Sequence, residues 1–239
     1  MATIPAPLPA PPADTGQGAW GSQPIYSRAD DVAFALIAAA ASIAADAAGW
    51  TNAAAHLDHY LGNSGELLTI NADAVLRDVS AADAQANSMA ETEIRRITAE
   101  VTVGKLYGSP VEFRSQWLGF YIGKGLSEDW FFAMGGIHLS VTGVVTVVAP
   151  AEGAEPTVSV DYKVHVHDRY NWDGEKSTEI AGVTVSDKRM GALHTAGSAR
   201  EYDIEGSSGI RSYQGAVPGA ASLPGAAAGR DGERSDPSR

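Results

Sequence analysis

The chain has 239 residues, 17 Lys and Arg against 29 Asp and Glu, no cysteine, and a formal net charge of −12. Without cysteine there is no disulfide, no thiolate metal site and no cysteine nucleophile. An acidic body with no basic stripe excludes nucleic acid as a partner, because phosphate contacts need concentrated Lys and Arg.

Residues 1–24, with Pro5, Pro7, Pro9, Pro11 and Pro12 among alanines and almost no charge, read as a disordered, solvated linker. The run 32–45 is apolar and mostly alanine, broken by Ser42. It is too short and too poor in leucine to span a bilayer. It also follows Asp30 and Asp31, where an export signal carries positive charge, so it reads as a buried soluble helix. That helix is expected over 29–60, interrupted at Gly49 and stopped at Gly62 and Asn63. A short extended piece at 67–70 precedes a short helix from Asn71 to Val79. A longer helix over 81–103 follows, with Met89, Ile94, Ile97 and Val101 as its apolar stripe. Its outer face carries Glu91, Glu93, Arg95, Arg96 and Glu100, spaced for i,i+4 pairs.

After Pro110 the pattern changes to alternation. Strands are expected at 111–114, around 116–122, at 137–148 and from 158 onward, with a loop over 149–157 closing a hairpin. A strand at 183–185, a helix over 188–197 capped by Ser186 and a last strand at 202–204 complete the list. Residues 213–239 lack periodicity and read as a disordered tail. The fold class is therefore α+β: a helical domain over 25–107, then an antiparallel β-rich domain over 108–212 with one late helix.

The strand from Val158 carries the chemistry. Val158, Val160, Tyr162, Val164 and Val166 share one face, and Asp168 and Tyr170 continue its phase, so a carboxylate stands where a hydrophobe is expected. Asp168 and Asp173, with Tyr170 between them, suit divided acid and base roles, and Lys176 or Arg169 suits an anionic group. The competing reading is a turn in which Asn171, Asp173 and Gly174 satisfy backbone groups. On the opposite face His165 and His167 stand about 6–7 Å apart, a metal-site spacing that makes a divalent metal the candidate cofactor. Lys163 and Arg169 share that face and oppose a cation there, which favours a solvated polar face. His56 and His59 read as helix-end packing. No nucleotide-binding glycine motif and no Gly-x-Ser-x-Gly elbow occurs.

Several blocks in order, His59-Tyr-Leu-Gly-Asn-Ser-Gly65, Leu76-Arg-Asp-Val79, Trp130-Phe-Phe-Ala-Met-Gly-Gly136, Val141-Thr-Gly-Val-Val-Thr-Val147, Asp168-Arg-Tyr-Asn-Trp-Asp173, Met190-Gly-Ala-Leu-His194 and Ala199-Arg-Glu-Tyr-Asp203, resemble a group of uncharacterised actinobacterial proteins associated with type VII secretion. Tyr26-Ser-Arg-Ala-Asp30 fits the Tyr-x-x-x-Asp pattern of such substrates, without the Trp-x-Gly turn of their helical hairpins. The resemblance implies a secreted or envelope-associated effector with a helical secretion partner. A fainter likeness is to colicin-M-type activity domains, which cleave the phosphorylated, lipid-linked cell-wall precursor through an Asp-x-Tyr-Asp motif followed by His-Arg. Asp168 and Tyr170 match that motif. Asn171 replaces its second acid, and Ser177 and Thr178 stand near the expected His-Arg. The likeness implies a role for Asp168 as acid or base, with Asp173 as the substitute carboxylate. The competing expectation is a non-catalytic binding or assembly module.

Overall fold

A computed structural model describes residues 3–12, 16–24, 29–172, 177–180 and 183–226. The Ala-rich run forms α1 (Ala29–Ala47), with Asp30 and Asp31 in its first turn, where the helix dipole favours acids. Gly49, at φ +85°, reverses the chain into α2 (Thr51–Leu61). The small side chains of Ala38, Ala41, Ala45, Ala53 and Ala54 let the two helices meet closely, and all five are buried. The Ser42 hydroxyl of α1 donates to the Asp58 carboxylate of α2.

Strand β1 (Leu68–Asn71) leads into α3 (Ala72–Asp78), where the Asn71 side chain accepts from the Asp73 N–H as an N-cap. Helix α4 (Ser80–Gly104) buries Ala82, Ala86, Ala90, Ile94, Ile97 and Val101 at helical spacing. Its exposed face pairs Arg95 with Glu91 and Arg96 with Glu93 and Glu100, as the sequence implies. Then come β2 (Pro110–Arg114), β3 (Leu118–Tyr121) and α5 (Glu128–Ala133), capped by Ser127. Two long strands, β4 (Gly136–Val148) and β5 (Thr157–Tyr170), form the central hairpin. The chain continues through β6 (Ser177–Ile180), β7 (Val183–Ser186), α6 (Asp187–Ala196), β8 (Tyr202–Ser207) and β9 (Arg211–Ala216).

Seven strands make the main sheet in the order β1-β8-β5-β4-β2, with β3 also on β4 and β9 also on β5. Every pairing is antiparallel except β1 on β8. The α+β class is as expected. The helices cover one face of the sheet. On that face Leu139 opposes Val166, Val141 opposes Val164, and Val145 opposes Val160, and this layer packs with α3 and α4 into one core. Tyr170, Tyr202 and Ile204 continue the same phase into a second core with α1, α2 and α6.

Three expectations differ from the structure. The expected partition at 107/108 does not separate two cores, because β1 and α4 from before it share sheet and core with strands from after it. Residues 16–24 are tied down: the Gly21 N–H donates to the His194 carbonyl, and the Gln17 side-chain amide to the Trp172 carbonyl. Residues 213–216 lie in β9, and Leu223 beyond them is buried. Residues 17–23 are held by backbone and side-chain hydrogen bonds, a signal that hydropathy does not carry. Among the described residues no helix is long and apolar enough to cross a membrane.

Beneath β9 lies a buried ionic cluster. The Arg211 guanidinium donates to Asp83 at 2.7 Å and stands 3.7 Å from Asp73. The Tyr162 hydroxyl donates to Asn87 beside it.

Candidate functional site: the fork between the central strands

Strands β4 and β5 stay paired from Val148 opposite Thr157 to His138 opposite His167. Beyond that point β5 pairs on with β8, placing Asp168 opposite Ile204 and Tyr170 opposite Tyr202. The first residues of β4 pair instead with β3, placing Gly136 opposite Tyr121. The two central strands part there, and a cleft of about 880 Å³ opens between them.

One wall is apolar. Phe131 and Phe132 of α5 meet edge to face, and the Lys124 ammonium lies 5.4 and 4.7 Å from their ring centroids. No ion pair engages Lys124 among the described residues. Gly135, at φ +65°, makes the turn from α5 into β4, a conformation that excludes most side chains. No atom lies near the side-chain positions of Gly119 and Gly136, so this stretch of backbone is open to a ligand.

The other wall carries imidazoles. The His138 and His167 rings are 6.4 Å apart, and the Trp117 indole packs on His167 at 5.9 Å. Burial lowers the His167 pKa, opposed by the charges of Asp203 and Glu205. Its Nδ1 is buried without a hydrogen-bonding partner among the described residues. Burial thus favours the neutral imidazole at His167.

At the inner end stand Asp168, Tyr170 and Trp172. Asp168 is 8 % exposed, so the break in the apolar phase faces the protein interior and the cleft. Tyr170 stacks on Tyr202 at 5.1 Å and touches Tyr60, His56 and Trp172. Burial above all pushes the Tyr170 and Tyr202 pKa values up, with the Asp168 carboxylate raising both further and Tyr170 adding to the rise at Tyr202. Tyr170 is a packed core ring that also meets the cleft.

The remaining sequence-expected residues fare differently. Asp173 and Lys176 lie outside the described residues. Arg169, the other cation considered for an anion, is held by Asp203 at 3.0 Å and Glu201 at 3.5 Å. His165 shares the face of His167, but the hydroxyls of Thr142 and Ser207 stand 2.9 and 2.8 Å from its two ring nitrogens. Burial, with Lys163 nearby, lowers its pKa to about 4. His194 accepts from the Glu201 N–H at Nδ1, which leaves its Nε2–H to donate to the Gly18 carbonyl. Among the described residues no group of three or more His, Asp or Glu is placed to hold a metal ion. His165 and His167 thus gain no third ligand among the described residues.

Lys124, His138 and Trp117 were missed by sequence reasoning. His138 sits in phase with Ser140 and Thr142, so its face was readable, but its apposition to His167 depends on the hairpin register. Lys124 stands in a loop with no local signal.

Comparison with protein-family models, with curated proteins and with solved structures gives no match.

Proposed function

We propose that the protein is a binding module for an anionic amphipath, seated in the fork between β4 and β5. The observation that carries this reading is Lys124, a cation without an acidic partner among the described residues, poised on two phenyl rings at the mouth of a cleft. Phe131, Phe132 and Met134 suit an apolar chain, Lys124 with His138 suits a phosphate, and Asp168 accepts from hydroxyl groups deeper in. A lipid-linked sugar phosphate, the class to which the cell-wall precursor belongs, combines these three features. The likeness to exported actinobacterial proteins supports a secreted or envelope setting and a helical secretion partner.

Calorimetric titration with a short-chain alkyl phosphosugar tests this directly. Lys124→Glu should weaken binding by at least about tenfold, since a charge-assisted contact contributes about 1.5–3 kcal/mol. Equal affinity for the variant and the parent chain would sink the reading.

A second reading, hydrolysis of the same ligand, is favoured by one observation: Asp168, His167 and His138 line one cleft. Release of phosphate or phosphosugar by the parent chain, lost in Asp168→Asn and in His167→Gln while binding persists, would select it.

A further inference from the structure

The centre of the sheet face without helices is nonetheless closed. Ser140 and Thr142 are fully buried there, and His165 nearly so. Residues 3–12 lie across this face. The Arg114 Nε–H donates to the Ala6 carbonyl at 2.9 Å, and the Trp117 indole N–H donates to the Leu8 carbonyl at 2.9 Å. Pro5 is buried, and Pro7 and Leu8 are half-buried. Residues 3–6 border a cavity of about 890 Å³ over Lys163, His165 and Ser207, and Pro11 and Pro12 reach the rim of the fork cleft.

We propose that this face is a recognition groove for uncharged, proline-spaced segments in the polyproline II conformation, and that residues 3–12 occupy it in cis. The segment's chemistry prepares it for such a site. Each proline holds its own φ near −65°, and Ile4, Ala6, Leu8, Ala10 and Pro11 each precede a proline and are driven extended. Little conformational entropy remains to be lost, and with no internal hydrogen bonds the carbonyls point outward. The groove answers with donors. Arg114 and Trp117 hold the carbonyls of two residues that each precede a proline, and the indole adds an aromatic surface, the means by which proline-rich grooves recognise their ligands. No backbone–backbone hydrogen bond ties residues 3–12 to the sheet among the described residues. The contact is therefore a side-chain recognition of a peptide rather than an added strand.

Such a site separates from its tether. The test uses the full-length chain with Pro5, Pro7 and Pro9 changed to Ser, which removes the backbone restriction while keeping the body, and a synthetic peptide of residues 3–12. The probe is the ¹H–¹⁵N resonance of the Trp117 indole. It should move in the triple variant and return, saturably, as peptide is added. The parent chain should bind the peptide at least about tenfold more weakly, because its own segment competes at a high effective concentration. Adding Trp117→Phe and Arg114→Ala to the triple variant should abolish binding, followed by polarisation of a labelled peptide. In the parent background the same two substitutions should sharpen the resonances of residues 3–12, a readout that does not need the triple variant to fold. Binding that survives loss of both donors, an unmoved indole, or no binding by the released groove overturns the proposal. The Lys124→Glu titration leaves these readouts unchanged, so failure of either reading is told from failure of the other.

Discussion

His56 should make the fold acid-labile in a window that can be calculated. The ring is buried in α2, between Trp130 at 6.3 Å and Tyr170 at 6.2 Å. Its Nδ1 has no hydrogen-bonding partner among the described residues. Burial is the main cause that lowers its pKa from 6.5 to about 4, only partly offset by a hydrogen bond with the Ala133 backbone. The unfolded chain therefore takes the proton first as pH falls. The stabilisation is complete above pH 6.5 and is lost progressively as pH drops toward 4. With these two values, the linkage relation gives a loss of about 2.5 kcal/mol between pH 7.5 and pH 4.5. Burial lowers the pKa of His165 to about 4 as well, so it adds a loss of the same sign. Urea unfolding followed by tryptophan fluorescence at the two pH values measures the total. In His56→Phe the pH-dependent loss should shrink by about 2.5 kcal/mol, whatever the variant's stability at neutral pH. The same loss in parent and variant would show that His56 is not held neutral by burial.

Two packing predictions follow from close approaches and buried charge. A Cβ on Gly191 of α6 would lie 2.2 Å from the Gln17 side chain and 2.5 Å from the Trp172 carbonyl oxygen. Gly191→Ala should therefore lower the melting temperature, by roughly 2–4 °C for each kcal/mol of overpacking, despite the better helix propensity of Ala; an unchanged or higher melting temperature contradicts it. Arg211→Met leaves the half-buried Asp73 and Asp83 without their buried cation and should cost about 1–3 kcal/mol in urea unfolding. Adding Asp73→Asn and Asp83→Asn should restore part of that loss, whereas a further loss would mean that packing of the long side chain, not charge, matters.

The elements that follow a strict period were legible. The β4–β5 hairpin and the Ile94, Ile97, Val101 stripe of α4 could be read because burial on one face imposes a repeat of 2 or 3.6. Residues 3–12 were not, because a proline-rich segment carries the same composition whether it is solvated or held by Trp117. At the site, the phase break at Asp168 pointed to the right end of the right strand. It did not disclose why the place matters: the cleft arises where β5 runs on beyond its last pair with β4 while its other edge stays paired with β8, and where a strand's pairing ends is a tertiary property. His138 reaches the cleft through its pairing with His167 at that end, and Lys124 through the loop that joins β3 to α5. His165 and His167 show the converse error. Their spacing suggests a shared ligand, yet Thr142 and Ser207 engage both nitrogens of one ring while Trp117 packs on the other.

The length of β5 explains how one strand serves two sites on opposite faces. Its first residues pair with β9 and its last with β8. The change of partner falls at Ser208, whose hydroxyl accepts from the Val164 N–H and whose own N–H donates to the Val164 carbonyl. Those two bonds satisfy the backbone where a gap between β8 and β9 would otherwise leave it unpaired. The strand can thus run straight through to Tyr170, past the end of its pairing with β4. Past that end, the residue in phase with the helices is Asp168, and its neighbour on the other face is His167. A shorter β5 would end in the paired hairpin, with the imidazole under the proline segment and no carboxylate at an opening. Trp117 joins the two faces, since its indole N–H holds Leu8 while its ring packs on His167. Displacing residues 3–12 therefore frees the one side chain that both holds the segment and buttresses the cleft wall.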